Sequence, residues 1–93
     1  MDKVYVLVGE TVFDYEEVND VVKVFKTKEG ALRKMAEILV DTKRIDKENG
    51  WMVVEDTETD YSAFKDGYQA QNHSEYRIKE CVVEDWVRGV FYK

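Results

Sequence analysis

The chain contains no proline, one cysteine, one histidine and no apolar run longer than the five residues Val4 to Val8. Without proline there is no rigid linker or proline-stiffened loop to divide 93 residues, a length that suits one domain and leaves too little core for two. Cys81 alone cannot close an intrachain disulfide, and one Cys with one His cannot build a structural zinc site. Five apolar residues fall far short of the roughly 20 that a membrane-spanning helix needs. Met1-Asp2-Lys3 also leads into them without the longer apolar segment of a signal peptide, so the chain reads as a protein of the reducing cytoplasm. The five glycines are scattered, and none belongs to a phosphate-cradling pattern. No catalytic or cofactor motif emerges, so the expectation is a non-enzymatic protein with no cofactor and no metal.

Cations are also in short supply. Twenty Asp and Glu against 14 Lys and Arg leave a net charge of -6, which repels nucleic-acid phosphates and argues against direct DNA or RNA binding. What is present is a foldable mixture: 44% hydrophobic and 13% aromatic residues are too many for a disordered chain of this charge.

Val4, Tyr5, Val6, Leu7 and Val8 predict a central strand covered on both faces, because apolar, β-branched residues fall on both sides of the pleat. Val21 to Phe25 predicts its hairpin partner. Between them no Asn-Gly-type turn occurs, which predicts an acidic loop several residues long. Thr27 can cap a helix whose apolar stripe is Ala31, Leu32, Met35, Ala36, Leu39 and Val40, running from about Lys28 to Thr42. Asn49-Gly50 marks a turn, and Trp51 to Glu55 a third strand that sets Trp51 in the core. In the polar stretch Thr57 to Ser74, Tyr61, Phe64 and Tyr68 recur at helical spacing and predict a short helix. Alternation over Glu75 to Glu84 predicts a fourth strand, and Trp86 to Tyr92 a possible fifth at an edge. The expected fold is a single α+β domain over residues 1–93: a mainly antiparallel sheet of about four strands on one long helix, in the order β-β-α-β-(short α)-β.

Asp56, Glu58 and Asp60 alternate like calcium ligands, but the required glycine position holds Tyr61 and the twelfth position holds Gly67 in place of glutamate, so the EF-hand pattern fails. Cys81 and His73 carry no motif that would orient them as nucleophile and base. The informative feature is the segregation of charge. Glu48 to Phe64 holds five carboxylates and no Lys or Arg, and Thr11 to Val22 holds four with none. The first reading is a solubilising surface with tyrosines capping the core. The second is a protein-binding surface, in which Asp14, Glu16, Glu17, Asp56, Glu58 and Asp60 supply charge while Tyr15, Tyr61, Phe64 and Tyr68 supply contact area. Trp86, Phe91 and Tyr92 offer an alternative, an aromatic edge for a homodimer.

Lys3-Val4-Tyr5-Val6-Leu7-Val8, the acidic hairpin after it, and Val24-Phe25-Lys26-Thr27-Lys28-Glu29-Gly30-Ala31 entering the helix together resemble small acidic proteins of phages and mobile elements. That broad type includes anti-CRISPR proteins and other nucleic-acid mimics. The resemblance implies an inhibitor that occupies a basic, nucleic-acid-binding surface of a host defence protein. The 14 cations depart from the pattern of strong mimics and confine any mimicry to the two acidic loops.

Overall fold

Alternation of side chains across the pleat builds most of this molecule, and one helix covers one side of the result. The computed structural model describes residues 3–82. In chain order the elements are β1 (Lys3–Phe13), β2 (Glu16–Phe25), α1 (Lys28–Glu48), β3 (Met52–Asp56), β4 (Asp60–Phe64) and β5 (His73–Val82). The strands form one antiparallel sheet in the order β2-β1-β5-β4-β3, so β1 is internal, as expected, and hydrogen-bonded on both edges. The architecture is α+β. Among the described residues no helix is long and apolar enough to cross a membrane.

Pairing places Leu7, Gly9 and Thr11 of β1 beside Ile78, Tyr76 and Ser74 of β5 on the helix-facing side. Tyr61 and Ala63 of β4 continue that side. Against it α1 lays Ala31, Met35, Leu39, Thr42 and Asp46, spaced to share one helix face. Leu7, Met35, Leu39, Trp51, Tyr61, Ala63 and Tyr76 make the core. Gly9 is required there by a close approach: a Cβ on it would fall inside the ring of Tyr76 on the next strand.

Five expectations change. The β1–β2 connection is a two-residue turn, Asp14-Tyr15, with both residues at positive φ (49° and 72°), and the strands absorb the rest of the expected loop. Asp tolerates that conformation, but tyrosine gives no sequence signal for it. A bulge follows, in which Val18 is the extra residue on β2. The helix continues past Thr42 to Glu48, because its core-facing stripe goes on in polar residues that hydropathy reads as an end. It closes on Gly50 (φ 72°), with Gly50 N–H donating to Lys47 O and Trp51 N–H to Asp46 O, which drives the Trp51 ring into the core as expected.

The expected short helix is instead β4. Tyr61 points to the helix side, Phe64 to the other face, and Tyr68 lies in the loop beyond; pairing with β5 overrides a spacing that suits either period. β4 thus supplies the fifth strand, whereas the strand expected at Trp86–Tyr92 lies outside the described residues. Finally, β1 is covered by structure on one face only among the described residues. On the other face Val4, Val6 and Val8 are half-buried and the β2 residues Val22 and Val24 are 70% and 59% exposed, because the described residues provide a single helix to cover five strands.

Gly9→Ala is expected to lower unfolding free energy by about 2 kcal/mol or more, since Tyr76 must be displaced from the core. Urea denaturation checks this, and a midpoint equal to that of the wild type would show that the Gly9–Tyr76 approach carries no constraint.

Candidate functional site

Asp46 is a carboxylate on the core-facing stripe of α1, and it is 1% exposed. Tyr61 O–H donates to its Oδ2 at 2.7 Å and Ser74 O–H to its Oδ1 at 3.1 Å. With the Ser74 proton so committed, Thr11 O–H must donate to Ser74 Oγ (2.9 Å), Tyr76 O–H to Thr11 Oγ1 (2.8 Å), and Asn19 Nδ2 to the Tyr76 oxygen (2.9 Å). Every proton in this chain points toward one carboxylate. The chain joins α1, β1, β2, β4 and β5, and no buried side-chain polar atom among the described residues lacks a partner. Burial pushes the Asp46 carboxyl above its ordinary 3.8, and the two hydroxyl donors draw it partly back. The Tyr61 phenol is raised as well, by burial first and then by its hydrogen bond to Asp46.

Above this network, between the last three turns of α1 and the turn end of the β1–β2 hairpin, lies a groove of about 540 Å³. Phe13, Val18, Ile38, Ile45 and Trp51 supply its apolar lining, and Phe13 stacks on Trp51 with ring centroids 6.1 Å apart. Thr11, Asn19, Thr42 and Asp46 line its buried side, while Glu37 and Asp41 stand exposed on the helix. Among the described residues three carboxylates and no Lys or Arg line it. Phe13 and Ile45 are 41% and 44% exposed at its opening.

The hairpin turn adjoins the groove. Asp14 N–H donates to Asn72 Oδ1 and Tyr15 N–H to Gln71 O, each at 3.1 Å, while Gln71 Nε2 donates to Tyr15 O–H at 3.0 Å. Asn72 is itself buried, so the turn is anchored to the segment before β5. Asp14, Tyr15, Glu16 and Glu17 are all exposed here, and Tyr68 is exposed in the same anchoring segment, beneath Lys65 Nζ at 4.9 Å.

The second acidic group does not join them. In register, Asp56 pairs with Tyr61 and Asp60 with Arg77, beside the middle of the sheet and away from the hairpin turn. Asp56 is engaged by Lys43 at 2.6 Å and Asp60 by Arg77 at 2.7 Å; the Thr59 hydroxyl and Arg77 together hold Asp60 below the ordinary carboxylate range. Glu58 is exposed, Phe64 is half-buried on the open sheet face, and Tyr61 is a core residue that offers no contact area. Among the described residues no three His, Cys, Asp or Glu side chains converge as metal ligands. Cys81 and His73 occupy opposite ends of β5, roughly 26 Å apart at strand rise. Trp86, Phe91 and Tyr92 lie outside the described residues. Sequence reasoning missed the groove, since Val18 reads as hairpin loop and Ile45 as lying past the helix end.

Because its folded-state value is raised, Asp46 is protonated in both states below 3.8, and the stability this confers is lost as pH rises through the raised value. The melting temperature of the wild type relative to Asp46→Asn is therefore expected to be highest near pH 4 and to decline toward neutrality. Circular dichroism melts across that range check the trend, and a flat difference would show that burial does not perturb the carboxyl.

Compared with known proteins, the chain matches no family model, no curated protein and no solved structure.

Proposed function

We propose that this chain is a non-enzymatic, acidic protein-binding module that presents the turn end of its β1–β2 hairpin to a basic surface on another protein. The observation that carries this reading is the anchored turn. Asp14, Tyr15, Glu16 and Glu17 are exposed together, yet the turn is tied to Gln71 and Asn72 by three hydrogen bonds, so little ordering remains to be done when a partner arrives. Charge at such a rim steers encounter, and Tyr15 and Tyr68 add flat contact area at the same end of the sheet. The finer form of the proposal is that the basic surface is one that binds nucleic acid in a host defence protein. Carboxylates with aromatic rings then stand in for phosphates and bases, and binding inhibits by occupation. The cytoplasm is the setting, a reading supported by the lone Cys81.

A second reading is favoured by a different observation. Among the described residues β2 is an edge strand of ten residues, and its Val22 and Val24 are among the most exposed apolar side chains on the open sheet face. Pairing of two such edges joins two copies into one sheet, a homodimer that needs nothing from Trp86, Phe91 or Tyr92. Sedimentation equilibrium decides: a dimer that Val22→Lys converts to monomer supports this reading, and a wild-type monomer at all loading concentrations overturns it.

The main proposal is tested by capturing lysate proteins on the immobilised chain and on a Glu16→Lys, Glu17→Lys variant, eluting in salt steps and competing with duplex DNA. A protein that leaves at moderate salt, is displaced by DNA and is missing from the variant is the expected result. Identical recovery on both surfaces would remove the hairpin from the binding surface.

A further inference from the structure

We infer that the groove between α1 and the hairpin takes an amphipathic, Lys- or Arg-rich segment of the partner protein, apolar side chains inward and cations over the acidic side. This inference rests on the protein-binding reading and deepens it by naming the recognised chemistry. The Thr11 hydroxyl, one Asn19 amide N–H and the Asp46 carboxylate beneath the groove are already engaged within the hydrogen-bonded chain that ends on the carboxylate. A ligand that depends on the buried hydroxyls or carboxylate must displace a bond already made there. What the groove offers is apolar area from Phe13, Val18, Ile38 and Ile45, in a space of about 540 Å³ that accommodates a few side chains.

The second argument is charge complementarity. Glu37 and Asp41 rise beside the apolar lining, no cation among the described residues lines the groove, and Glu16 of the hairpin is in register with Phe13. The existing partners of the helix acids are Lys34 at 3.2 Å and Arg44 at 3.3 Å, exposed pairs within one helix that an incoming cation displaces readily. An anionic or uncharged apolar segment lacks this attraction. Apolar residues at helical spacing suit the groove because its helix side, Ile38, Asp41, Thr42 and Ile45, itself repeats at three and four residues.

The probe is a synthetic peptide with leucine at helical spacing and lysine elsewhere, titrated into the full ¹⁵N-labelled chain. The expected result is a saturable set of amide shifts centred on Phe13, Val18, Ile38 and Ile45. Affinity should fall about tenfold in Ile45→Gln, which removes an exposed apolar anchor without changing charge, and by a similar factor in Glu37→Gln with Asp41→Asn. A peptide with glutamine in place of leucine, at the same charge, should bind at least about tenfold more weakly. Shifts that map elsewhere, equal binding of the glutamine peptide, or concentration-dependent shifts at the groove without peptide, which would signal a second copy there, each overturn the inference. The broader reading is scored separately: partners retained on Ile45→Gln but lost on Glu16→Lys, Glu17→Lys leave the acidic hairpin in place while discarding the groove.

Discussion

A buried carboxylate is the constraint around which this small protein is arranged. Asp46 cannot reach water, so its charge must be met by protein donors, and the two that meet it come from β4 and β5. Supplying the Ser74 proton commits Thr11, and through it Tyr76 and Asn19, so one acid orders side chains from five of the six elements. Removing any link leaves a buried polar atom unmatched, which costs more than the bond itself contributes. The last turns of α1 and the hairpin end are thereby held at a set separation, and the groove is the space between them.

The fold's economy has a second consequence. Among the described residues one helix screens one side of five strands, and the valines of the other side are shielded only by their neighbours in the sheet. Among the described residues both edge strands carry a bulge, at Val18 in β2 and at Val54 in β3; the β2 bulge lies at the turn end and leaves a regular ladder from Asn19 to Phe25. At Val18 the same irregularity serves the groove, because the extra residue adds a side chain to its lining.

Acidic character alone is a poor guide to where this surface can act. Asp56, Glu58 and Asp60 alternate through five residues of the sequence, yet Lys43 and Arg77 neutralise two of the three. The group at the hairpin turn keeps its carboxylates exposed, beside aromatic rings that are also exposed. Cations distant in sequence made this difference, and no window along the chain contains them.

The elements that could be read directly are those whose signals are local. Thr27 capping Gly30 N–H, the Ala31-Met35-Leu39 stripe, Asn49-Gly50 as a turn and the alternation through Tyr76 and Ile78 all act over a few residues, and all appear in the structure. Where the outcome depended on distant partners, local reading failed. Asp46 reads as lying past the helix end until Tyr61 and Ser74 are brought to it, Asp14-Tyr15 looks like loop until Gln71 and Asn72 hold it, and Tyr61 to Phe64 fits a helix until β5 lies alongside. Composition and local periodicity determined an α+β chain with one capped helix, a central β1 and a buried Trp51. Tertiary structure decided which acids are buried, paired or exposed, because desolvation and ion pairing depend on neighbours in space, and those neighbours are brought together only by folding.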